Sequence, residues 1–166
     1  DIEELGVELK AIPFRRLKNN SLSSKERSKL KSINYKTLLH ETWKDSFLVK
    51  KINKILFLVY EHPTGYRFNE LEHLKYVGSF LFDLNHRQEK DKIKIDWQKL
   101  KNEVCSFRAH KLTESMFKYL SASTSGTSKL INYHPNAETA KQRSHSFKGG
   151  FMTALWREQD KIYDSD

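Results

Sequence analysis

The chain has 166 residues, which is about the length of one ordinary domain and enough to bury a substantial core. Thirty lysines and arginines against 21 aspartates and glutamates give a formal net charge of +9, a field that attracts polyanions such as nucleic acid. The single cysteine, Cys105, excludes an internal disulfide, and no apolar run approaches the roughly 18 residues of a membrane span. We therefore expect one basic domain in a reducing compartment such as the cytoplasm, with no membrane segment.

The first ten residues carry the most informative pattern, a D-x6-E-x-K spacing formed by Asp1, Glu8 and Lys10. Residues 7–14 are predicted to form a strand, whose alternation puts Glu8 and Lys10 on one face and the apolar residues beside them on an opposite, buried face. Two carboxylates with open positions suit Mg²⁺, and a nearby lysine can orient the attacking water and offset phosphoryl charge. Because this spacing also occurs by chance, a strand of solvated charges is the alternative.

A basic run follows between residues 15 and 31, where Glu26 is the single acid. Ser23 and Glu26 make an S-x-x-E capping box, which predicts a helix from Ser23 to about Ile33. Such a run is usually a solvated face, but its closeness to the carboxylates favours contacts with DNA phosphates. The basic residues of this run are Arg15, Arg16, Lys18, Lys25, Arg27, Lys29 and Lys31.

The middle of the chain predicts a helix that leads directly into a strand. The helix is expected over residues 41–52, with Trp43 and Phe47 facing inward. Six consecutive apolar residues, 55–60, follow without alternation, which indicates a strand buried on both faces. We therefore expect residues 55–60 at the centre of an α/β sheet.

The second half predicts a further strand and a long amphipathic helix. Residues 76–84 are rich in aromatics and predict a strand. Apolar residues at helical spacing, Ile95 and Trp97 among them, predict a helix from about residue 96 to 111 that packs on the sheet. Cys105 falls in this pattern and is expected to be part of the core.

The C-terminal third opens with a polar stretch, residues 121–129, which predicts a flexible loop whose hydroxyls could read base edges or hold phosphates. Residues 142–148 alternate as a strand does, the two glycines that follow break it, and a last helix is predicted from Phe151. The seven histidines show no zinc spacing, and there is no Gly-rich phosphate loop.

The N-terminal pattern, together with Thr42-Trp43, Lys51 and the strand at 55–61, resembles the nuclease motif of the MutH family. Residues 13–27 and 140–153 look closer to the Sau-type GATC restriction endonucleases, so the resemblance runs over nearly the whole chain. It implies a PD-(D/E)xK restriction-endonuclease-like α/β fold, with a central mixed sheet flanked by helices. It also implies a bacterial cytoplasmic enzyme that cuts double-stranded DNA at GATC with Mg²⁺.

Carried over residue by residue, the resemblance assigns catalysis to Asp1, Glu8, Lys10 and Lys51. Asp1 and Glu8 would hold Mg²⁺, with the carbonyl of Leu9 as a third ligand. Lys10 would be the catalytic lysine and Lys51 a second lysine that contacts phosphate. The family's upstream glutamate has no counterpart in this chain. Because the chain opens on Asp1 and not on Met, we expect residues 1–166 to be a single MutH-like nuclease domain that lacks its N-terminal part, within a longer protein.

Recognition in the family comes from a loop near residues 121–129 and from the segment around 143–148. The chain departs from its relatives there, with Ser125 in place of a lysine and Ser146 in place of the repair enzyme's tyrosine, which weakens the expectation of GATC specificity more than that of the chemistry. The predicted DNA contacts are Arg15, Arg16, Lys18, Lys25, Arg27, Ser123, Thr124, Ser125, Lys129, Arg143 and Lys148.

Three functions remain open at this stage. The first is a type II restriction endonuclease that hydrolyses both strands by in-line attack of water, leaving 5′-phosphate and 3′-hydroxyl ends. Cutting both strands of a palindrome predicts a homodimer on DNA. The second is a repair enzyme that nicks one strand of hemimethylated GATC. The third is a MutH-like domain that binds DNA without cleavage, since some Sau-type enzymes carry such a domain as a C-terminal effector.

Overall fold

The structure is a computed structural model that describes residues 3–63, 71–124 and 129–163. The chain forms two compact units, the first from residues 1–28, 53–84 and 148–166 and the second from residues 29–52 and 85–147. Within the described ranges, no helix is both long enough and apolar enough to cross a bilayer. A single domain over residues 1–166 stays a prediction.

Nine strands and four helices are found in the described residues, with short 3-10 turns between them. The strands are β1 (Glu8–Arg16), β2 (Leu22–Ser24), β3 (Ser28–Ser32), β4 (Lys54–Glu61), β5 (Lys75–Asp83), β6 (Leu120–Thr124), β7 (Leu130–Ile131), β8 (Ala140–Lys141) and β9 (Arg143–Phe147). The helices are α1 (Tyr35–Leu38), α2 (Phe47–Ile52), α3 (Lys90–Cys105) and α4 (Gly149–Tyr163).

The first unit contains a four-stranded mixed sheet in the order β2-β1-β4-β5. Strand β4 runs parallel to β1 and antiparallel to β5, which confirms that the apolar run 55–60 is a central strand. Its burial alternates, however: Ile55, Phe57 and Val59 are fully buried and the residues between them only half-buried. The prediction of burial on both faces was therefore wrong in degree, because one face of the strand is fully buried and the other is only half-buried.

Helix α4 covers that buried face of the sheet. The Trp156 ring packs 5.8 Å from Phe14 and 6.2 Å from Phe80, measured between ring centroids. Gly78 makes room for it, since a Cβ built there would lie 3.0 Å from the indole, and its φ of +151° is one that a side chain disfavours. The helix begins at Gly149, two residues before the predicted start, so the glycines form its first turn and do not precede it.

The second unit is built on a three-stranded sheet in the order β3-β9-β6, with a separate pair β7-β8. Helix α3 packs on β6 through a stripe that includes Ile93, Trp97 and Leu100, all buried. It starts and ends about six residues earlier than predicted, because Ile93 extends the stripe and Phe107 adopts a left-handed φ of 60° just after the helix. Ile95 is 55% exposed and Cys105 is exposed, so both predictions of core positions were wrong.

The helix predicted from Ser23 to Ile33 is wrong, because these residues form strands β2 and β3. Ser24 pairs with Phe14 of β1, and its backbone N–H donates to the Thr153 hydroxyl at 2.9 Å. In β3 the burial alternates at first, with Leu30 buried between exposed lysines. Pairing with β1 and the hydrogen bond to Thr153, and not the capping box, decide the structure of residues 22–24.

Two more segments differ from expectation. The helix predicted over 41–52 is reduced to α2, whose N-terminus is capped by the buried Ser46 hydroxyl accepting from Val49 N–H at 3.1 Å. Because α2 buries Leu48 and Ile52, Phe47 points outward and is 59% exposed, contrary to prediction. The loop predicted at 121–129 begins as strand β6, paired with β9.

Candidate active site

The candidate active site in the first unit is the start of strand β1, where Glu8 and Lys10 lie on the same face as Ile12 and Phe14. The burial of these residues increases along the strand, from half-buried at Glu8 and Lys10 to fully buried at Phe14. The opposite face was predicted to be the buried one, but Leu9 is 38% exposed. The E-x-K pair therefore continues the core face of the sheet, which positions it more firmly than an open strand would.

The two side chains form an ion pair, with Lys10 Nζ 3.8 Å from Glu8 Oε1. Only 12% of the Glu8 side chain and 19% of the Lys10 side chain are exposed. In the sheet register Glu8 lies beside Ile55 and Lys10 beside Phe57, both of them fully buried. An apolar base of this kind lowers the local dielectric and strengthens the field of both charges on a bound phosphate.

The proposed metal ligands can be located only in part. Asp1 lies outside the described residues, and within them no group of three or more His, Cys, Asp and Glu side chains is placed to hold a metal ion. Glu8 supplies a hard, half-buried carboxylate of the kind that Mg²⁺ prefers. Strand β2 pairs with β1 only at Phe14–Arg16, so at Leu9 the described ladder leaves that edge of β1 without a strand. The Glu8 carboxylate and the backbone carbonyl of Leu9 are therefore compatible with a metal site made of oxygen ligands.

The fourth predicted catalytic residue, Lys51, belongs to the second unit. It lies in the last turn of α2 and is half-buried. In sequence it precedes Ile55, the partner of Glu8 in the sheet register, by four residues. Its catalytic role stays a prediction.

The basic residues at the end of β1 lie at a distance from the E-x-K pair. Arg15 and Arg16 end the strand and Lys18 lies in the turn that leads to β2, with all three exposed. Seven residues of strand separate Arg15 from Glu8, which corresponds to about 23 Å. Closeness in sequence is therefore not closeness to the acid in space.

Arg16 is engaged by an acid of the first unit. Its Nε donates to Glu61 Oε1 at 2.8 Å and its Nη2 to Glu61 Oε2 at 2.5 Å, a two-point ion pair. These hydrogen bonds hold the pKa of Glu61 below its usual value and raise the pKa of Arg16. Lys25 Nζ lies 3.1 Å from Nδ1 of the buried His62. Arg27 and Lys148 are half-buried.

The predicted recognition residues of the second unit divide into buried and exposed groups. Ser123 is buried and its hydroxyl lies 2.6 Å from that of Ser146. Arg143 is 9% exposed, and its guanidinium donates to the carbonyls of Ala122 and Leu112. The polar groups of Ser123 and Arg143 are thus directed at the protein. Thr124 and Lys129 are exposed, and Ser125 lies outside the described residues.

A buried acid of the second unit, Asp96, was missed by the sequence reasoning. Its carboxylate accepts backbone N–H groups of Lys118, Tyr119 and Leu120 at 3.1, 2.7 and 3.0 Å, just where β6 begins. Asp96 is 2% exposed, and it lies on the buried stripe of α3 next to Trp97. An acid inside an apolar helix face was the available signal, since buried charges need partners.

A mixed sheet flanked by helices, with an E-x-K pair on a strand parallel to the central one, is the architecture expected of a PD-(D/E)xK protein. A family model described as the DNA mismatch repair enzyme MutH matches residues 1–96. The chain therefore belongs to the MutH family, and the predicted fold class and family resemblance are confirmed.

One curated relative is the type II restriction enzyme Sau3AI of Staphylococcus aureus, to which the chain is 35% identical over 160 residues. The alignment covers 95% of this chain and 32% of that protein. The chain thus spans about a third of the length of its relative.

Proposed function

We propose that the chain is the nuclease part of a type II restriction endonuclease, which hydrolyses double-stranded DNA at GATC with Mg²⁺. The observation that carries this proposal is the Glu8–Lys10 pair, held 3.8 Å apart on β1 in a MutH-family fold. The similarity to Sau3AI over 95% of the chain supports restriction as the setting. The bacterial cytoplasm is the proposed compartment, since the lone Cys105 forms no internal disulfide.

The roles of the residues follow from their chemistry. The Glu8 carboxylate, with Asp1 and the Leu9 carbonyl, would hold Mg²⁺ beside the scissile phosphate, where the ion would act as a Lewis acid. Lys10 would orient the attacking water and offset the charge that develops on the phosphoryl oxygens. In-line attack would leave 5′-phosphate and 3′-hydroxyl ends. Lys51 would contact the phosphate.

The proposed DNA contacts are the basic end of β1 in the first unit and, separately, the exposed residues after β6 in the second unit. Arg15 and Lys18 are exposed, and no described residue of the first unit forms an ion pair with either. Thr124 and Lys129 are exposed beside the residues 125–128. Cutting both strands of a palindrome would require two copies on the DNA, and the longer protein would supply any effector domain.

Repair nicking is the second candidate, because the family model that matches residues 1–96 is that of a mismatch repair enzyme. The two functions differ in the number of strands cut, so supercoiled plasmid with GATC sites and Mg²⁺ distinguishes them. Restriction predicts linear fragments with ends at GATC. Nicked circles that never become linear, from hemimethylated plasmid, would favour repair, and intact plasmid would contradict both.

A DNA-binding domain without cleavage is the third alternative. The half-buried pair of Glu8 and Lys10 supports a catalytic domain over a domain that only binds DNA. Calorimetric titration with Mg²⁺ tests the difference, using Glu8→Gln as the comparison. A Mg²⁺ site that is lost in Glu8→Gln supports the nuclease, whereas the same heat in both proteins would point to a binding domain.

A further inference from the structure

The second unit contains a cavity of about 290 Å³ that none of the proposed roles uses. Residues of β3, α1, α2 and β9 line it. Its inner wall includes Leu38 and Leu48, which are 2% and 1% exposed. A volume near the lower end of small-molecule pockets, about 300 Å³, suits one planar group and not a folded segment.

His145 is the polar group at the inner side of this cavity. It is 4% exposed, and its Nδ1 has no hydrogen-bond partner among the described residues. Burial lowers its pKa to about 3, so the ring is neutral and carries one donor and one acceptor. A buried polar atom without a partner is unusual in a folded protein, and it leaves His145 with unused hydrogen-bonding capacity in the wall of the cavity.

The outer side of the cavity combines an aromatic ring with two opposite charges. Phe47 is 59% exposed, an unusual position for a phenylalanine, and Lys50 Nζ lies 5.7 Å from its ring centroid. Glu41 receives a long 3.4 Å hydrogen bond from Thr37, which leaves most of the carboxylate's acceptor capacity for other donors. Lys31, exposed on β3, supplies a positive charge.

We propose that this cavity binds one unpaired nucleobase in which an exocyclic amino group adjoins an unprotonated ring nitrogen, namely adenine or cytosine. Phe47 would stack on the base, and Glu41 would accept from its amino group. Lys31 would pair with the attached phosphate, and His145 would bind a ring nitrogen or carbonyl. The choice of nucleic acid over other planar ligands rests on the proposed function.

The test is calorimetric titration of the 166-residue chain with the four deoxynucleoside 5′-monophosphates and with inorganic phosphate. We expect saturable binding that is stronger for the adenine and cytosine nucleotides than for thymidine monophosphate. Phe47→Ala should weaken it about tenfold. Ile95→Ala is the matched control, since Ile95 is a similarly exposed apolar residue of the same unit, and it should leave binding unchanged.

Glu41→Leu tests the base preference separately from affinity, because leucine has no acceptor for an amino group. It should bring the adenine-to-thymine affinity ratio close to one, and the His145 ring resonances should shift on titration only with nucleotides. No saturable binding, equal binding of all four nucleotides in the wild type, or binding of inorganic phosphate alone would overturn the proposal. DNA cleavage without nucleotide binding would contradict the proposed base site and leave the proposed nuclease function standing. Nucleotide binding without DNA cleavage would contradict the nuclease function and support the base site.

Discussion

Replacement of Asp96 by alanine should destabilise the second unit more than any other single carboxylate change in α3. The carboxylate accepts hydrogen bonds from three backbone N–H groups, the shortest of them 2.7 Å from Tyr119 N. Asp96 is 2% exposed. Each buried N–H left unsatisfied costs about 1–3 kcal/mol, and two of the three sites are only partly buried. The expected loss in the free energy of unfolding is therefore about 3–5 kcal/mol.

Urea unfolding and thermal melting measure this loss directly. For a chain of this length, about 2–4 °C of melting temperature corresponds to each kcal/mol, so Asp96→Ala should lower it by roughly 10 °C. Asp96→Asn keeps one oxygen acceptor and should lose about half as much.

The exposed Asp91 in the first turn of α3 provides the control, because its charge lies near the positive end of the helix dipole. Asp91→Ala should cost at most about 1 kcal/mol. Equal losses for the two alanine variants would refute the reasoning, since they would mean that the buried hydrogen bonds at the start of β6 contribute nothing beyond general charge removal.

Three further outcomes are expected. Gly78→Ala should lower the free energy of unfolding by about 1–3 kcal/mol in urea titrations, because its φ of +151° and the indole packed on it both oppose a Cβ. The pKa of His145 is about 3 in the folded protein, against an ordinary value of 6.5. Because the unfolded chain binds this proton at a higher pH than the folded one, the stability present above pH 6.5 is lost as the pH falls toward 3. His145→Gln should therefore flatten the fall in stability between pH 6.5 and 4, by up to about 1.4 kcal/mol per pH unit, and an unchanged pH dependence of urea unfolding would contradict this. Arg15→Ala should weaken DNA binding and reduce the salt slope of affinity by about 1 in filter-binding assays, and an unchanged slope, or an equal change in Arg108→Ala, would speak against phosphate contact.

The sheet of the first unit could be predicted from sequence because its strands carry strong apolar patterns. The run 55–60 is too short for a helix and too apolar for an exposed strand, and it is the central strand β4. The orientation of β1 could not be predicted in the same way. Leu9 and Ile12 are both apolar, and only the packing of α4 on Phe14 decides which face is buried.

Strands β2 and β3 were missed because local signals there conflict with tertiary ones. The S-x-x-E spacing at Ser23 is a common helix start, but in this chain the Thr153 hydroxyl of α4, about 130 residues away in sequence, binds the Ser24 backbone instead. A hydrogen bond of that separation leaves no trace in the local pattern. The same limit explains Asp96, whose partners lie more than 20 residues away.

The E-x-K pair was recognisable from sequence because two residues on one strand face need only an alternating backbone to meet. Asp1 lies outside the described residues. The role of Lys51 depends on how helices and strands are arranged, which the periodicity of the sequence does not specify. The remoteness of Arg15 from Glu8 follows from one continuous strand, because β1 extends to Arg16, two residues beyond the strand predicted over residues 7–14.

Glu8 and Lys10 are the residues proposed to perform the hydrolysis of DNA. The most direct measurement is single-turnover cleavage of a GATC duplex in Mg²⁺ by Glu8→Gln and Lys10→Met, with binding of the same duplex measured in Ca²⁺. Both variants should lose about 100-fold or more in cleavage rate and keep their affinity within a few fold, while Lys99→Met, an exposed lysine of α3, should cut normally. Cleavage at the wild-type rate by either Glu8→Gln or Lys10→Met would contradict the account.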